Sequence, residues 1–342
     1  MDLSVRPNRW LARYAAFVAF ATFLLIIAGA LVTSNEAGLS VPDWPTSFGS
    51  FRMPRMVGGV KYEHGHRMIA GSVGVLTIIL ALWLWKAEER RWVRRLGGIA
   101  VLTIVAQAVL GGITVLFYLP APVSVGHACL AQLFFSIIVS LALFTRYDWR
   151  WDQPRIEDAR APSLRRLTAG TTAAIFLQLM LGAAFRHNGF GIIPHVIGAV
   201  VVTAGVFWIS VRVLTRYPRE PRLVRPALAL AALLVAQVLL GTGSYAMKLA
   251  ARDAPQPLPP VVAVTTAHVA VGALVLAAGL VLTLNVFRLL ATRARGQKSE
   301  ARNRPGIGRS RSACQAERLT HETPTRRLLL HVGSGSDVNK KS

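Results

Sequence analysis

Long apolar stretches recur along the chain and are separated by shorter polar segments. Eight of them carry few or no charges and run for about 20 residues, the length that a helix needs to cross the hydrocarbon core of a bilayer. They cover residues 11–33, 67–86, 96–118, 124–145, 166–185, 193–214, 226–246 and 262–287. This pattern predicts an all-α integral membrane protein with eight transmembrane helices.

Composition supports that prediction, and the distribution of charge adds an orientation. The chain is 53% hydrophobic and 16% charged, yet its formal net charge is +23. The cations concentrate in every second connection, at residues 90–95, 146–166 and 212–225, and the remainder of the excess lies in residues 291–342. By the positive-inside rule, both termini are expected in the cytoplasm of a multi-pass plasma-membrane protein. Membrane lipid, and not nucleic acid, is therefore the expected partner of these cations.

The two halves of the chain resemble each other in local sequence. Gln107-Ala-Val-Leu-Gly-Gly112 in the third stretch is similar to Gln237-Val-Leu-Leu-Gly-Thr242 in the seventh. Each segment precedes a histidine near the start of the next stretch, His127 in the first half and His268 in the second. Internal repeats of this kind indicate that one structural unit occurs twice.

The remaining helices agree with the repeat, because His66 opens the second stretch and His195 opens the sixth. An even number of helices per repeat gives both halves the same orientation. We therefore predict two repeated four-helix bundles related by a pseudo-two-fold axis along the membrane normal. The predicted parts are a cytoplasmic N-terminus at 1–9, an N-terminal bundle at 10–146, a cytoplasmic linker at 147–165, a C-terminal bundle at 166–290 and a disordered basic cytoplasmic tail at 291–342.

Four of the histidines are candidates for function. With the N-terminus inside, the even-numbered helices begin on the outer side, so His66, His127, His195 and His268 are expected at similar depth. The repeat pairs His66 with His127, and His195 with His268. For any one of them a hydrogen-bonded structural histidine is the simpler alternative, but ionisable groups inside a membrane are costly and indicate function. Two facing imidazoles suit bis-histidine haem ligation, whereas zinc usually requires further Cys, Asp or Glu ligands.

A carboxylate accompanies only the first of these pairs. Glu63 precedes His66 by three residues, which places both on one face of a helix and makes Glu63 a candidate acid or base beside a first haem. The alternative is a carboxylate that is favoured by the dipole at a helix N-terminus. Arg67 is a candidate partner for Glu63 or for a haem propionate. His64 and His187 have no counterpart in the other half, and we interpret them as interfacial residues.

Taken together, these features resemble the haem A synthase family, from about Arg9 to Leu290. The features that carry the resemblance are Glu63-x-x-His66-Arg67, the outer-loop segment Gly38-Leu-Ser-x-Pro-Asp-Trp-Pro45, His127, His195, His268 and the repeated four-helix plan. The resemblance implies oxidation of the C8 methyl group of haem O to a formyl group, through successive hydroxylations, which gives haem A for terminal oxidases.

The resemblance also implies a role for each candidate residue. His66 and His127 would bracket the substrate haem O in the N-terminal bundle, and Glu63 would act beside its methyl group. His195 and His268 would ligate haem b as an electron-transfer cofactor in the C-terminal bundle. The implied partners are haem O synthase, terminal oxidase subunits and an unidentified electron donor.

One departure from the family concerns the first outer loop. Many members carry a cysteine pair there, whereas this chain has Val41 and Ser47 at the corresponding positions. A loop disulfide is therefore excluded, and packing of Trp44 and the neighbouring prolines is expected to order the loop.

Two alternatives to an enzyme remain open. A di-haem b-type cytochrome that only transfers electrons would use the same four histidines, although it would usually hold its haems at different depths. A transporter is suggested by the internal repeat, but transporters typically have broken helices or polar groups at the midplane, and neither is clear in this sequence.

Overall fold

The computed structural model describes residues 8–149, 156–158, 161–254 and 257–292. Within these ranges it contains eight long α-helices, all long and apolar enough to span a membrane, which confirms the predicted fold class. The helices are α1 Arg9–Ser34, α2 Val60–Ala87, α3 Arg91–Leu116, α4 Ala121–Phe144, α5 Leu164–Arg186, α6 Ile193–Arg216, α7 Pro221–Ala250 and α8 Pro259–Leu289. The described residues also form two short strands, β1 Ile156–Asp158 and β2 Leu290–Thr292.

Several helices extend beyond the apolar stretches that predict them. Helix α2 begins at Val60 and not at residue 67, and α7 begins at Pro221 and not at residue 226. A proline favours the start of α7, because a proline in the first turn does not need the N–H group that a helix leaves unpaired there. Prolines occupy that turn in α4, α6, α7 and α8. The longer α2 places Glu63 and His66 inside the helix rather than ahead of it.

The helices of each half pack in a closed ring. Helix α1 contacts α2 and α4, and α3 contacts the same two; in the second half, α5 contacts α6 and α8, and α7 contacts the same two. Each ring has its own core of buried side chains, and a small cluster of Ile26, Phe135 and Ala273 joins α1, α4 and α8 between them. The relation of the halves by a two-fold axis stays a prediction.

At the end where α1 and α5 begin, which we call the inner end, two connecting segments come together. Strand β1, from the linker between the halves, pairs in parallel with β2, which directly follows α8. Asp158 at the end of β1 accepts hydrogen bonds from the backbone N–H of Leu164 at 2.5 Å and from Arg212 at 3.0 Å. These contacts were not predicted. Most of the predicted cytoplasmic N-terminus, part of the linker and residues 293–342 of the predicted tail lie outside the described residues.

At the opposite, outer end, residues 35–59 connect α1 to α2 and are here called the first outer loop. Asp43 organises its tip by accepting hydrogen bonds from the Thr46 hydroxyl and from the backbone N–H groups of Phe48 and Gly49. These donors, the Thr46 hydroxyl above all, hold the pKa of Asp43 below its usual value. Val41 is fully buried, so the loop packs onto the helices rather than extending into solvent.

Candidate functional site

The four candidate histidines lie at the outer end, near the starts of α2, α4, α6 and α8, and each imidazole packs against a glycine of the preceding helix. A Cβ atom built on that glycine would lie only 2.8–3.2 Å from the Cε1 atom of the ring, closer than ordinary carbon contacts. Only glycine therefore lets the ring approach the helix backbone this closely. The four contacts are Gly29 with His66, Gly111 with His127, Gly182 with His195 and Gly241 with His268.

A glutamine stands one helical turn before three of these glycines. Gln107 and Gln178 donate hydrogen bonds from Nε2 to the backbone carbonyls of His127 at 2.8 Å and His195 at 2.7 Å. Nε2 of Gln237 lies 3.5 Å from Nε2 of His268. In α1 the same position is the apolar Leu25. Glutamines thus hold the histidine segments of α4 and α6, and in α7 the glutamine lies beside the imidazole of His268.

Sequence comparison of the halves had found Gln107 and Gln237 but missed Gln178 and Gly29. The signal was present for Gln178, since Gln-x-x-x-Gly occurs at 107–111, 178–182 and 237–241. Gly29 could not be found from this motif, because Leu25 stands where the other three helices have glutamine.

In the second histidine pair, His195 and His268, the two imidazole rings lie close together. The ring centres are 6.3 Å apart and the planes are nearly perpendicular, at 84°. Bonds from imidazole nitrogen to a metal ion are about 2.0–2.1 Å long. A separation of 6.3 Å therefore leaves room for one metal ion between two facing rings. In the first histidine pair, His127 is a neighbour of His66.

The donor set fits haem better than a bare metal ion. In the part of the chain that the structure describes, no three His, Cys, Asp or Glu side chains are grouped so as to hold a metal. Two imidazoles complete the coordination of a haem iron, whose other ligands come from the macrocycle. Among the residues that the structure describes, the buried Nδ1 atoms of His66, His127 and His268 have no hydrogen-bond partner. Pairs of imidazoles in a largely apolar setting are thus suited to haem.

Glu63 and Arg67 form an ion pair beside the first histidine pair. The Oε1 atom of Glu63 lies 2.6 Å from an Arg67 nitrogen, and Oε2 accepts the backbone N–H of Val41 at 2.8 Å. Arg67 also donates to the carbonyl groups of Val41, Asp43 and Thr46, at 2.7–3.1 Å. Glu63 is only 4% exposed. The carboxylate and the guanidinium therefore both hold the first outer loop.

The same contacts show what orders the loop in place of a disulfide. Val41 is bound through its backbone to Glu63 and Arg67, and the Ser47 hydroxyl lies 3.0 Å from Nδ1 of His64. Val41 and Ser47 are thus both attached to the first turns of α2. Packing of Trp44 contributes as expected, but polar contacts from Glu63, His64 and Arg67 contribute as well.

The second pair has a different polar neighbourhood. Arg186, at the end of α5, donates to the hydroxyl of Ser34 at 2.6 Å and to the carbonyl of Ala30 at 3.2 Å. The hydroxyl groups of Thr265 and Thr266, on α8 just before His268, lie 3.0 and 3.2 Å from the same Ser34 oxygen. Polar groups from both halves therefore meet beside the second pair.

His187 follows Arg186 directly. Burial lowers the pKa of this histidine, and the adjacent guanidinium lowers it further.

Comparison with known proteins shows which proteins the chain is similar to. A family model described as "Cytochrome oxidase assembly protein" matches residues 60–194. Three curated proteins named "Heme A synthase" are similar to the chain: that of Lysinibacillus sphaericus is 28% identical over 192 residues, that of Alkalihalophilus pseudofirmus 28% over 155 and that of Halalkalibacterium halodurans 31% over 137. Over these aligned parts, the chain is similar to haem A synthases.

The match to these haem A synthases is partial. The aligned regions cover 55%, 45% and 40% of this chain and 62%, 50% and 44% of the three relatives, respectively. The chain therefore spans less than two thirds of the length of each. The segment matched by the family model includes Glu63, His66, Arg67 and His127, and it ends one residue before His195. The second histidine pair thus lies beyond that segment.

Proposed function

We propose that this protein acts in haem A biosynthesis by oxidising the C8 methyl group of haem O to a formyl group, which supplies haem A to terminal oxidases. The observation that carries the proposal is the set of four imidazoles, each packed against a glycine on the neighbouring helix and arranged as two pairs at the outer end. Similarity to proteins named "Heme A synthase" and to the family model supports the choice of reaction.

The first pair is assigned to the substrate and the second to a resident cofactor. His66 and His127 bracket haem O, because only this pair has a carboxylate, Glu63, on the same helix. His195 and His268 hold haem b, which supplies one-electron transfer when it is bound. Gln178 fixes the segment that carries His195, and Arg186 places a positive charge at the outer end of the second site.

Glu63 is assigned the role of acid or base beside the methyl group. It lies one turn before His66, and Arg67 and the Val41 N–H group orient its carboxylate. Arg67, bound to three loop carbonyl groups, holds the first outer loop beside that carboxylate. Orientation by fixed partners is what an acid or base requires in order to meet the substrate at one defined place.

The setting is the plasma membrane, with both termini in the cytoplasm and both haem sites facing outward. Haem O synthase and terminal oxidase subunits are the proposed partners, together with an electron donor and membrane lipid. Arginine-rich connections at the inner end, among them 90–95 and 212–225, support this orientation.

Expression of the chain together with a source of haem O, followed by extraction and chromatography of the haems, tests the function. Haem A or its hydroxylated precursor is expected, and the same host without the chain provides the control. Unaltered haem O together with a b-type spectrum would contradict the proposal and favour the di-haem electron-transfer cytochrome.

A further inference from the structure

The two halves differ at one helix position next to the histidine sites. Gly112 and Thr242 are equivalent in the repeated segments 107–112 and 237–242, and each follows the glycine that packs against a histidine ring. Gly112 is buried, whereas Thr242 is exposed and turns its hydroxyl back to the carbonyl of Val238 at 3.0 Å. The position is thus covered in the first half and open in the second.

Trp44 of the first outer loop covers Gly112. A Cβ atom built on Gly112 would lie 2.5 Å from Cδ2 of the indole, 2.8 Å from Cε3 and 2.9 Å from Cε2. Real Cβ atoms do not come this close to a ring, so any residue other than glycine at position 112 must displace the indole. Since Gly111 packs against His127, the indole lies at the outer end of α3 beside the first histidine pair.

Contacts on both sides of Trp44 hold it in place. Arg67 donates to the carbonyl groups of Val41, Asp43 and Thr46, which flank Trp44 in the sequence. Earlier in the loop, a Cβ on Gly38 would lie 3.4 Å from the side chain of Leu119, in the connection between α3 and α4. The loop is therefore attached to α2 by Arg67 and rests on the α3–α4 connection.

We propose that Trp44, placed on Gly112 and held by Arg67, forms the outer wall of the first histidine site and positions the substrate haem there. This inference rests on the proposed function, since that function makes the first site the substrate site. A rigid aromatic wall restricts how a flat macrocycle can lie between His66 and His127. The second site, with Thr242 at the equivalent position, has no such wall from this loop.

A double-mutant cycle tests the placement of Trp44 without reference to activity. Gly112→Thr introduces the residue that the second half carries, and it is expected to displace the indole. Trypsin cleavage after the exposed Arg52 and Arg55 of the purified full-length protein should then accelerate on the order of tenfold, because cleavage follows the population of the open loop. Trp44→Ala should accelerate it to a similar extent, and adding Gly112→Thr to Trp44→Ala should change nothing more.

Thr242→Gly is the matched control and should leave cleavage unchanged. Gly112→Ala serves as a milder variant if threonine prevents folding, and Trp44→Phe should restore part of the protection. An unchanged cleavage rate in both Gly112 variants, or effects of Gly112→Thr and Trp44→Ala that simply add, would show that the indole does not depend on Gly112 and would overturn the proposal.

A second measurement tests the role toward the substrate. Haem O and haem A extracted per protein should fall severalfold in Trp44→Ala, while the b-type spectrum assigned to the second pair stays unchanged. If Trp44→Ala accelerates trypsin cleavage of the loop but leaves the amounts of haem O and haem A unchanged, Trp44 does not act as a wall for the substrate. If the unaltered chain forms no haem A at all, the proposed function fails, and the cleavage experiment still decides whether Trp44 rests on Gly112.

Discussion

The two histidine sites share one construction and differ in what surrounds it. In both, an imidazole at the start of an even-numbered helix packs against a glycine of the preceding helix, and three of the four glycines follow a glutamine by one turn. Around the first site, Glu63 and Arg67 hold a loop that places Trp44 on Gly112. Around the second, Arg186 and two threonines meet at Ser34.

This difference separates two tasks of the molecule. Residues that the two halves share determine where each pair of imidazoles lies. Because both sites have them, they cannot determine which site performs chemistry. Under the proposed function, residues found in one half only, such as Glu63 and Trp44, distinguish the site assigned to the substrate from the site assigned to the cofactor. Changes to shared residues should therefore affect haem binding, and changes to unshared ones should affect turnover.

The largest effect is expected from removing a ligand of the second pair. His195→Ala or His268→Ala should abolish the low-spin b-type spectrum of the purified protein, because a single remaining imidazole cannot provide both axial ligands. His64→Ala is the matched control, since that imidazole contacts Ser47 and belongs to neither pair. An unchanged spectrum in both ligand variants would refute the assignment of the second pair.

Glu63→Gln should separate turnover from haem binding. Haem b is expected to remain, while haem A formation falls by about 10²–10⁴-fold, the usual contribution of a positioned acid or base. Chromatography of the extracted haems measures both quantities in one sample.

Glu63 also holds the first outer loop, so its variant needs a control for loop position. The rate of trypsin cleavage after Arg52 and Arg55 provides this control. If haem A formation falls while the loop stays protected, Glu63 acts as an acid or base. If haem A formation falls and the loop is cleaved faster, Glu63 acts by holding the loop in position. Normal amounts of haem A would show that the carboxylate is dispensable.

A smaller effect is expected from the glycines that pack against the second pair. Gly182→Ala and Gly241→Ala would place a methyl group 2.9 and 2.8 Å from Cε1 of His195 and His268, so each ring must shift. Haem b affinity should fall by about tenfold, the lower range for changes that reorient a metal ligand. Gly243→Ala on the same helix is the control, because the nearest atom there is 3.9 Å away. The ratio of bound haem to protein is the measurement, and equal ratios in all three variants would contradict the close packing.

Much of the fold could be predicted from sequence because a bilayer imposes it. A segment that crosses hydrocarbon must be apolar for about 20 residues and must satisfy its own backbone, so hydropathy alone located the eight helices. Helix ends were less predictable. At Val60 and Pro221 the chain is helical but no longer apolar, and hydropathy does not detect a helix that continues into the polar boundary.

The candidate site was predictable only in part for a similar reason. Repetition revealed the four histidines and two of the glutamines, since these residues recur in the sequence. The contact of Trp44 with Gly112, and of Gly29 with His66, depends on how helices and a loop pack in three dimensions, and no repeat encodes it. The strand pair between β1 and β2 joins residues more than a hundred positions apart and has no local signal.

That strand pair provides the smallest and last prediction. β2 lies at the inner end, remote from both histidine pairs, and it links the connection between the halves to the end of α8. Truncation after Thr292 should leave haem content, haem A formation and thermal stability unchanged, because it keeps β2 complete. Truncation after Leu289 removes β2 and should lower thermal stability by a few degrees while affecting the two sites equally. Haem b and haem A are measured in the same extract. If the truncation after Leu289 lowers only one of them, the inner end also distinguishes the two halves. If the truncation after Thr292 abolishes haem A formation, residues 293–342 are needed for activity.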